Sequence, residues 1–246
     1  MIRVFVDFDG TITRDDVGDS LFETFGGAAA TGAVRQYIDG SMSAVDCFRK
    51  ECAACGDVDK NRLDAFLDSR EIDRTFISFF DFCRDKAMEC TILSDGMDYY
   101  IERILKRNGI AYVPFFANHL GLQSDDGGTH VRFEPSFPHT DEVCDRCASC
   151  KRNHMLRIAG DDDIIVYVGE GYSDRCPARF ADVVFAKDAL LNYCRRENIS
   201  CFEYSSFGDI QHRLETFLTA TKRGRPNGLR KRRRAELARK EVFMGG

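Results

Sequence analysis

The chain opens on an apolar run rich in β-formers, residues 2–8, which stops abruptly at Asp7, Asp9, Gly10 and Thr11. That pattern predicts a strand running into a polar turn. Two further apolar runs, 91–93 and 164–168, also end at polar, glycine-bearing turns, and helically spaced apolar residues follow each turn. A fourth strand is predicted over 183–186. The strands are near-continuously apolar rather than alternating, so both of their faces are buried. The expected fold is therefore α/β, a Rossmann-like parallel sheet flanked by helices, with its ligand site at the carboxyl ends of the strands.

Residues 15–75 interrupt this alternation. Helix-period patterns recur over 20–25, 34–38, 44–52 and 63–67, separated by glycine or polar breaks. Because this segment leaves the sheet directly after the first acidic turn, it is expected to be a helical cap inserted above the sheet edge, a position that suits a lid. Residues 111–133 carry a β-hairpin signal around Asp126, Gly127 and Gly128, and 134–150 read as irregular and cysteine-bearing. The expected partition is a core of 1–14 and 76–221, a cap of 15–75 and a tail of 222–246.

Composition narrows the class. A chain of 246 residues buries roughly 70–75% of its unfolded surface and needs no covalent staples. With 43% hydrophobic and 30% charged residues it is an ordinary globular chain, and no apolar run approaches the roughly 20 residues of a membrane span. The start, MIRVFVDFDG, lacks the features of a secretory signal, so a cytoplasmic location is expected and the 11 cysteines are expected to be reduced thiols or metal ligands. Charge is unevenly placed. Residues 222–246 hold ten Lys or Arg against Glu236 and Glu241, a net of +8, which leaves −13 on the rest of a chain whose total is −5. An acidic body repels polyanions, so nucleic acid is not expected on the core, and a phosphorylated ligand there needs a local cation.

In DFDGT, Asp7 and Asp9 lie two apart on an extended segment, so their carboxylates start on one face beside a turn whose glycine admits a ligand. Paired carboxylates in different surroundings suit acid and base roles. Further turns follow in order: ILSDG with Ser94, Lys151 at a helix start, and VYVGEGYSD with Glu170 and Asp174. Together these resemble the four motifs of the haloacid dehalogenase superfamily of phosphatases, over roughly residues 1–205. The insertion is similar to the cap of the phosphoserine phosphatase group. SDGMDYY, the cysteines before Lys151 and FAKDALLNYCRRENI resemble the methionine-salvage phosphatases, and Ser94, Asp95 and the cysteines also resemble the phosphoethanolamine and phosphocholine phosphatases.

The resemblance implies a phosphoric monoester hydrolase acting on a small phosphorylated metabolite. Asp7 would attack phosphorus to form an aspartyl phosphate, and Asp9 would protonate the leaving alkoxide and later activate water. Ser94, the backbone N–H groups of Asp95 and Gly96, and Lys151 would hold the phosphate, with Asp95 a candidate for specificity. Mg²⁺ would be held by Asp7, the Asp9 carbonyl and Glu170, with Asp174 direct or through water. Glu170 departs from the usual Asp, keeping the charge but displacing the oxygen. Lys151 is electrostatically misplaced at a helix start unless an anion meets it.

Three features stand outside that scheme. Cys144, Cys147 and Cys150 are spaced to let three thiolates converge on a structural Zn²⁺, with His119, His139 or His154 as a fourth ligand, or else they pack a loop as reduced thiols. Arg14 is a candidate for holding a substrate anion, as are Arg35 and Arg49 in the cap. The basic tail is either solvated or docks on an unidentified partner. A catalytically silent binding protein acting through that tail is the alternative of another class.

Overall fold

A computed structural model describes residues 1–124 and 127–221; the basic tail lies outside the described residues. In chain order the elements are β1 (Ile2–Val6), α1 (Val17–Ile38), α2 (Ala44–Cys55), β2 (Val58–Asp59), α3 (Lys60–Asp68), α4 (Thr75–Asp85), β3 (Glu89–Met97), α5 (Asp98–Arg107), β4 (Phe115–Ser124), β5 (His130–Ser136), α6 (Lys151–Ile158), β6 (Ile164–Gly169), α7 (Arg175–Phe180), β7 (Val183–Ala186), α8 (Asp188–Arg196), β8 (Phe202–Glu203) and α9 (Phe207–Thr221). The eight described strands are ordered β2-β5-β4-β3-β1-β6-β7-β8. β1–β6, β6–β7, β7–β8 and β3–β4 are parallel, whereas β4–β5 and β2–β5 are antiparallel, so the expected α/β sheet carries an antiparallel end. No described helix is long and apolar enough to cross a membrane.

Two compact units divide the chain. The first comprises Met1–Val6, Asp73–Thr91 and the chain from Met155 on. Its strands β1, β6, β7 and β8 are in register through Val4↔Val166 and Val166↔Val183, and Ile165, Val166, Tyr167 and Val168 are each 0% exposed. That complete burial explains why this strand reads as an unbroken apolar run. α4 and α9 pack through Phe207, whose ring lies 4.9 Å from Phe76 and 5.3 Å from Phe79.

The second unit comprises Asp7–Ile72 and Ile92–His154. Its helices start where short polar side chains satisfy free amides: Asp16 accepts from the Asp19 amide at 2.8 Å, Ser43 from Asp46 at 3.1 Å and Asp59 from Arg62 at 2.8 Å. The patterns at 20–25 and 34–38 belong to one helix, α1, kinked at Gly27, whose φ of 58° suits glycine. The predicted hairpin is β4–β5, and it continues to Ser136, so only 137–150 remain irregular. β3 does not stop at residue 93. It runs through Ser94, Asp95 and Gly96 to Met97, with a shift in its pairing to β4 between Leu93 and Met97. The two-residue strands β2 and β8 carry no period that the sequence could reveal.

Candidate active site

The turn after β1 is wound around one carbonyl. The amides of Thr11, Ile12 and Thr13 all point at the Phe8 oxygen, at 3.2, 2.9 and 3.1 Å, and Gly10 takes a φ of 64° to make the bend. This turn fixes Asp7 and Asp9 in different surroundings. Asp7 is 5% exposed and Lys151 1% exposed; the Lys151 ammonium donates to Asp7 Oδ1 at 2.5 Å, and Thr11 Oγ1 donates to Oδ2 at 3.3 Å. Lys151 is the first residue of α6, so the anion its placement called for is Asp7 itself.

Asp9 is held by neutral donors. Its Oδ1 accepts from the amides of Val17 and Gly18, at 3.2 and 3.4 Å, at the start of α1. Its Oδ2 accepts from Ser94 Oγ at 3.2 Å and Tyr100 Oη at 2.8 Å. Enclosure raises its pKa above the usual carboxylate value, against the hydrogen bonds from Tyr100, Gly18 and Ser94 and the nearby Lys151 charge, which lower it. A carboxyl group in that condition is suited to carry a proton.

Ser94, Asp95 and Gly96 sit beside Asp9, but their hydrogen bonds differ from those expected. The Gly96 amide donates to Ser94 Oγ at 2.9 Å, while Ser94 donates to Asp9, so both groups are engaged within the protein. Asp95 Oδ1 accepts from the Ser149 amide at 2.6 Å, and its carbonyl accepts from Asn118 Nδ2 at 2.7 Å. The Asp95 carboxylate therefore fastens the segment two residues ahead of Lys151.

Glu170 and Asp174 come together in the first unit, in the turn after β6. Asp174 is 0% exposed; its Oδ1 accepts from Tyr167 Oη at 2.5 Å and its Oδ2 from the amides of Glu170 and Gly171 at 2.8 and 2.9 Å. Both of its oxygens thus organise the turn that presents half-buried Glu170. Gly169 is glycine because a Cβ there would stand 2.4 Å from Asp174 Oδ2.

Among the described residues no three His, Cys, Asp or Glu side chains are grouped to hold a metal ion, at the cysteine cluster or at the acidic turns, and Cys144, Cys147 and Cys150 form no disulfide. Cys150 is buried, which raises its thiol pKa. The candidate fourth ligands are otherwise engaged: His119 pairs with Asp98 at 2.7 Å, and His154 stacks on Phe116 at 4.3 Å and meets His139 edge-on at 4.5 Å. Arg14 is exposed and lies 3.5 Å from Glu71; Arg49 lies 3.5 Å from Asp46, and Arg35 is exposed. Sequence patterns did not single out Thr11, Asn118 or Tyr100. Thr11 appeared only as part of the first polar turn and Tyr100 only as the end of SDGMDYY.

Comparison with known proteins bears on the family and the fold. The family model described as Putative Phosphatase matches residues 2–200. Pdp3-interacting factor 1 of Schizosaccharomyces pombe is 31% identical over 227 residues, covering 87% of this chain and 95% of its own length. A 2-hydroxy-3-keto-5-methylthiopentenyl-1-phosphate phosphatase of Exiguobacterium sibiricum is 29% identical over 219 residues, covering 87% and 97%. Among solved structures, a phosphoserine phosphatase captured as a phospho-aspartyl intermediate analogue superposes with a TM-score of 0.63 at 16% identity, over 85% of this chain and 96% of that one. The phosphoserine phosphatase of T. onnurineus gives 0.60 at 14% identity, over 86% and 92%. The chain belongs to the Putative Phosphatase family, is a phosphatase, a phosphoric monoester hydrolase, and shares its fold with the phosphoserine phosphatases.

Proposed function

We propose that this chain hydrolyses a small-molecule phosphate monoester in two displacements, with Asp7 as nucleophile and Asp9 as acid and then base. The observation that carries this is the buried contact of 2.5 Å between Lys151 and Asp7, two residues from a second carboxyl held only by amides and hydroxyls. A fixed cation keeps the attacking oxygen anionic and opposes the charge of an arriving phosphate. Asp9 donates its proton to the leaving alkoxide as the Asp7–phosphorus bond forms, then takes a proton from the water that breaks that bond. Ser94 and Lys151 hold phosphate oxygens, and Asp95 acts by fastening the segment before Lys151.

As the resemblance implies, Asp7, the Asp9 carbonyl and Glu170 would each offer Mg²⁺ the oxygen donor it prefers, and Asp174 shapes the turn that carries Glu170. When bound, Mg²⁺ neutralises charge on the phosphate. Residues 15–75 serve as the cap that selects the organic half of the substrate, and the protein works in the cytoplasm.

The first substrate to test is 2-hydroxy-3-keto-5-methylthiopentenyl 1-phosphate, because relatives of that name match over 97% of their length. Phosphoethanolamine, phosphocholine and phosphoserine complete the panel, with p-nitrophenyl phosphate as a generic ester. Phosphate release is expected to need Mg²⁺ and to vanish in Asp7→Asn. Wild-type rates in Asp7→Asn would overturn the mechanism. No hydrolysis of any ester would favour a silent binding protein.

A further inference from the structure

Tyr100 is 1% exposed on α5, and its ring lies 6.3 Å from that of Phe8. Its hydroxyl stands where three segments meet. It donates to Asp9 Oδ2 at 2.8 Å, it lies 3.3 Å from where a Gly18 Cβ would be, and it fills the space over Gly96, where a Cβ would fall 1.6 Å from it. The space above Gly96 is thus reserved for one phenol oxygen, and a Cβ there would also stand 2.7 Å from Asp9 Oδ2. With Val17 and Gly18 amides on Oδ1, the carboxyl plane of Asp9 is pinned from both ends.

We propose that Tyr100 is a positioning residue for proton transfer by Asp9, orienting the acid toward the leaving-group oxygen. The inference rests on the function proposed above. In the first displacement the Asp7–phosphorus bond forms, the phosphorus–alkoxide bond breaks, and the Asp9 proton moves to the departing oxygen. Tyr100 keeps its own proton throughout. Its hydroxyl, 1% exposed and donating to Asp9 Oδ2, serves as a fixed donor. Ser94 shares Oδ2, but its hydroxyl must also accept from the Gly96 amide, and it is assigned to phosphate. Tyr100 has no such competing duty in the reaction.

The test is the leaving-group dependence of kcat/KM in Tyr100→Phe, which removes the hydroxyl and keeps the ring. An alkyl phosphate needs its leaving oxygen protonated, whereas p-nitrophenolate departs without a proton. General acid catalysis is worth about 10²–10⁴-fold, so a misaimed acid is expected to cost the alkyl ester roughly 10–100-fold and p-nitrophenyl phosphate less than about 3-fold. A partly unfolded preparation lowers both rates equally, so the ratio reads positioning independently of folding yield. Equal losses on the two esters, or no loss on either, would overturn the role of Tyr100 while leaving Asp7 chemistry intact. Wild-type hydrolysis insensitive to Asp7→Asn would overturn the function and this inference together. Asp9→Asn, run in parallel, is expected to show the same selectivity more strongly.

Discussion

Glu51 offers a measurable consequence of how α2 is packed. Its side chain lies on the same face as Ala44, Cys47, Cys52 and Cys55, and the residue is 3% exposed. Burial and the charge of Asp19 push its pKa from 4.5 up to about 8, with only a weak contact from the Cys47 thiol, 3.8 Å away, opposing the rise. The native state therefore holds a proton on Glu51 that the unfolded chain releases above about pH 4.5. Since the native state binds more protons in this window, stability falls as pH rises from about 4.5 to about 8. At roughly 1.4 kcal/mol per pKa unit, this group removes about 2 kcal/mol between about pH 6 and about pH 8. Glu51→Gln keeps the size and never ionises. Urea unfolding of both proteins at those two pH values should show the wild type losing about 2 kcal/mol more than the variant. Slopes that agree within about 0.5 kcal/mol would refute a buried, protonated Glu51. Asp19, itself raised by burial, remains in both proteins and cancels in the comparison.

Three further substitutions probe the site. Lys151→Met should cost about 3–5 kcal/mol because it strands a buried carboxylate, and adding Asp7→Asn should recover much of that loss without restoring turnover; a single-variant loss under about 1 kcal/mol in urea unfolding would show that the pair is not buried. Gly169→Ala should cost about 1–3 kcal/mol, since its Cβ meets a carboxylate 2.4 Å away that three hydrogen bonds hold in place. Thermal melts with Asp174→Ala in the background should show most of that cost gone, and a purely additive result would contradict the clash. Glu170→Gln should abolish Mg²⁺-dependent phosphate release while Glu170→Asp retains part of it; equal rates in the two would remove Glu170 from the ligand set.

Elements with a strong period were legible in the sequence. The apolar run of β6 reads clearly because residues 165–168 are buried on both faces, and α2 reads clearly because its buried positions recur every three or four residues. β2 and β8 were not legible: two residues define no period, and tertiary pairing alone makes them strands. The end of β3 was misjudged for a related reason. Serine, aspartate and glycine suggest a turn locally, but Met97 still pairs with Asn118 beyond them, so the strand resumes after an irregularity.

The site divides along the same line. Asp7, Asp9, Ser94 and Lys151 could be proposed because each follows or precedes an element in a fixed order, although only the fold brings residues 7 and 151 within 2.5 Å. What the sequence could not supply was the orientation of polar side chains. Asp95 stood as a candidate for specificity, and its carboxylate spends one oxygen on the Ser149 amide, joining the end of β3 to the loop ahead of Lys151. Tyr100 ends the SDGMDYY run with no role of its own in the sequence, yet its hydroxyl reaches Asp9. The cysteine spacing suggested converging thiolates, yet the segment is anchored by the Cys150 amide on the His139 carbonyl at 2.7 Å and by the packing of His154 against Phe116. In each case a long-range contact orients the group, and all three contacts brace the segments that carry Lys151 and Asp9. The geometry of these two groups is therefore set by neighbours that need never touch the substrate, which is why substitutions at 95 or 100 should act on the chemistry through placement.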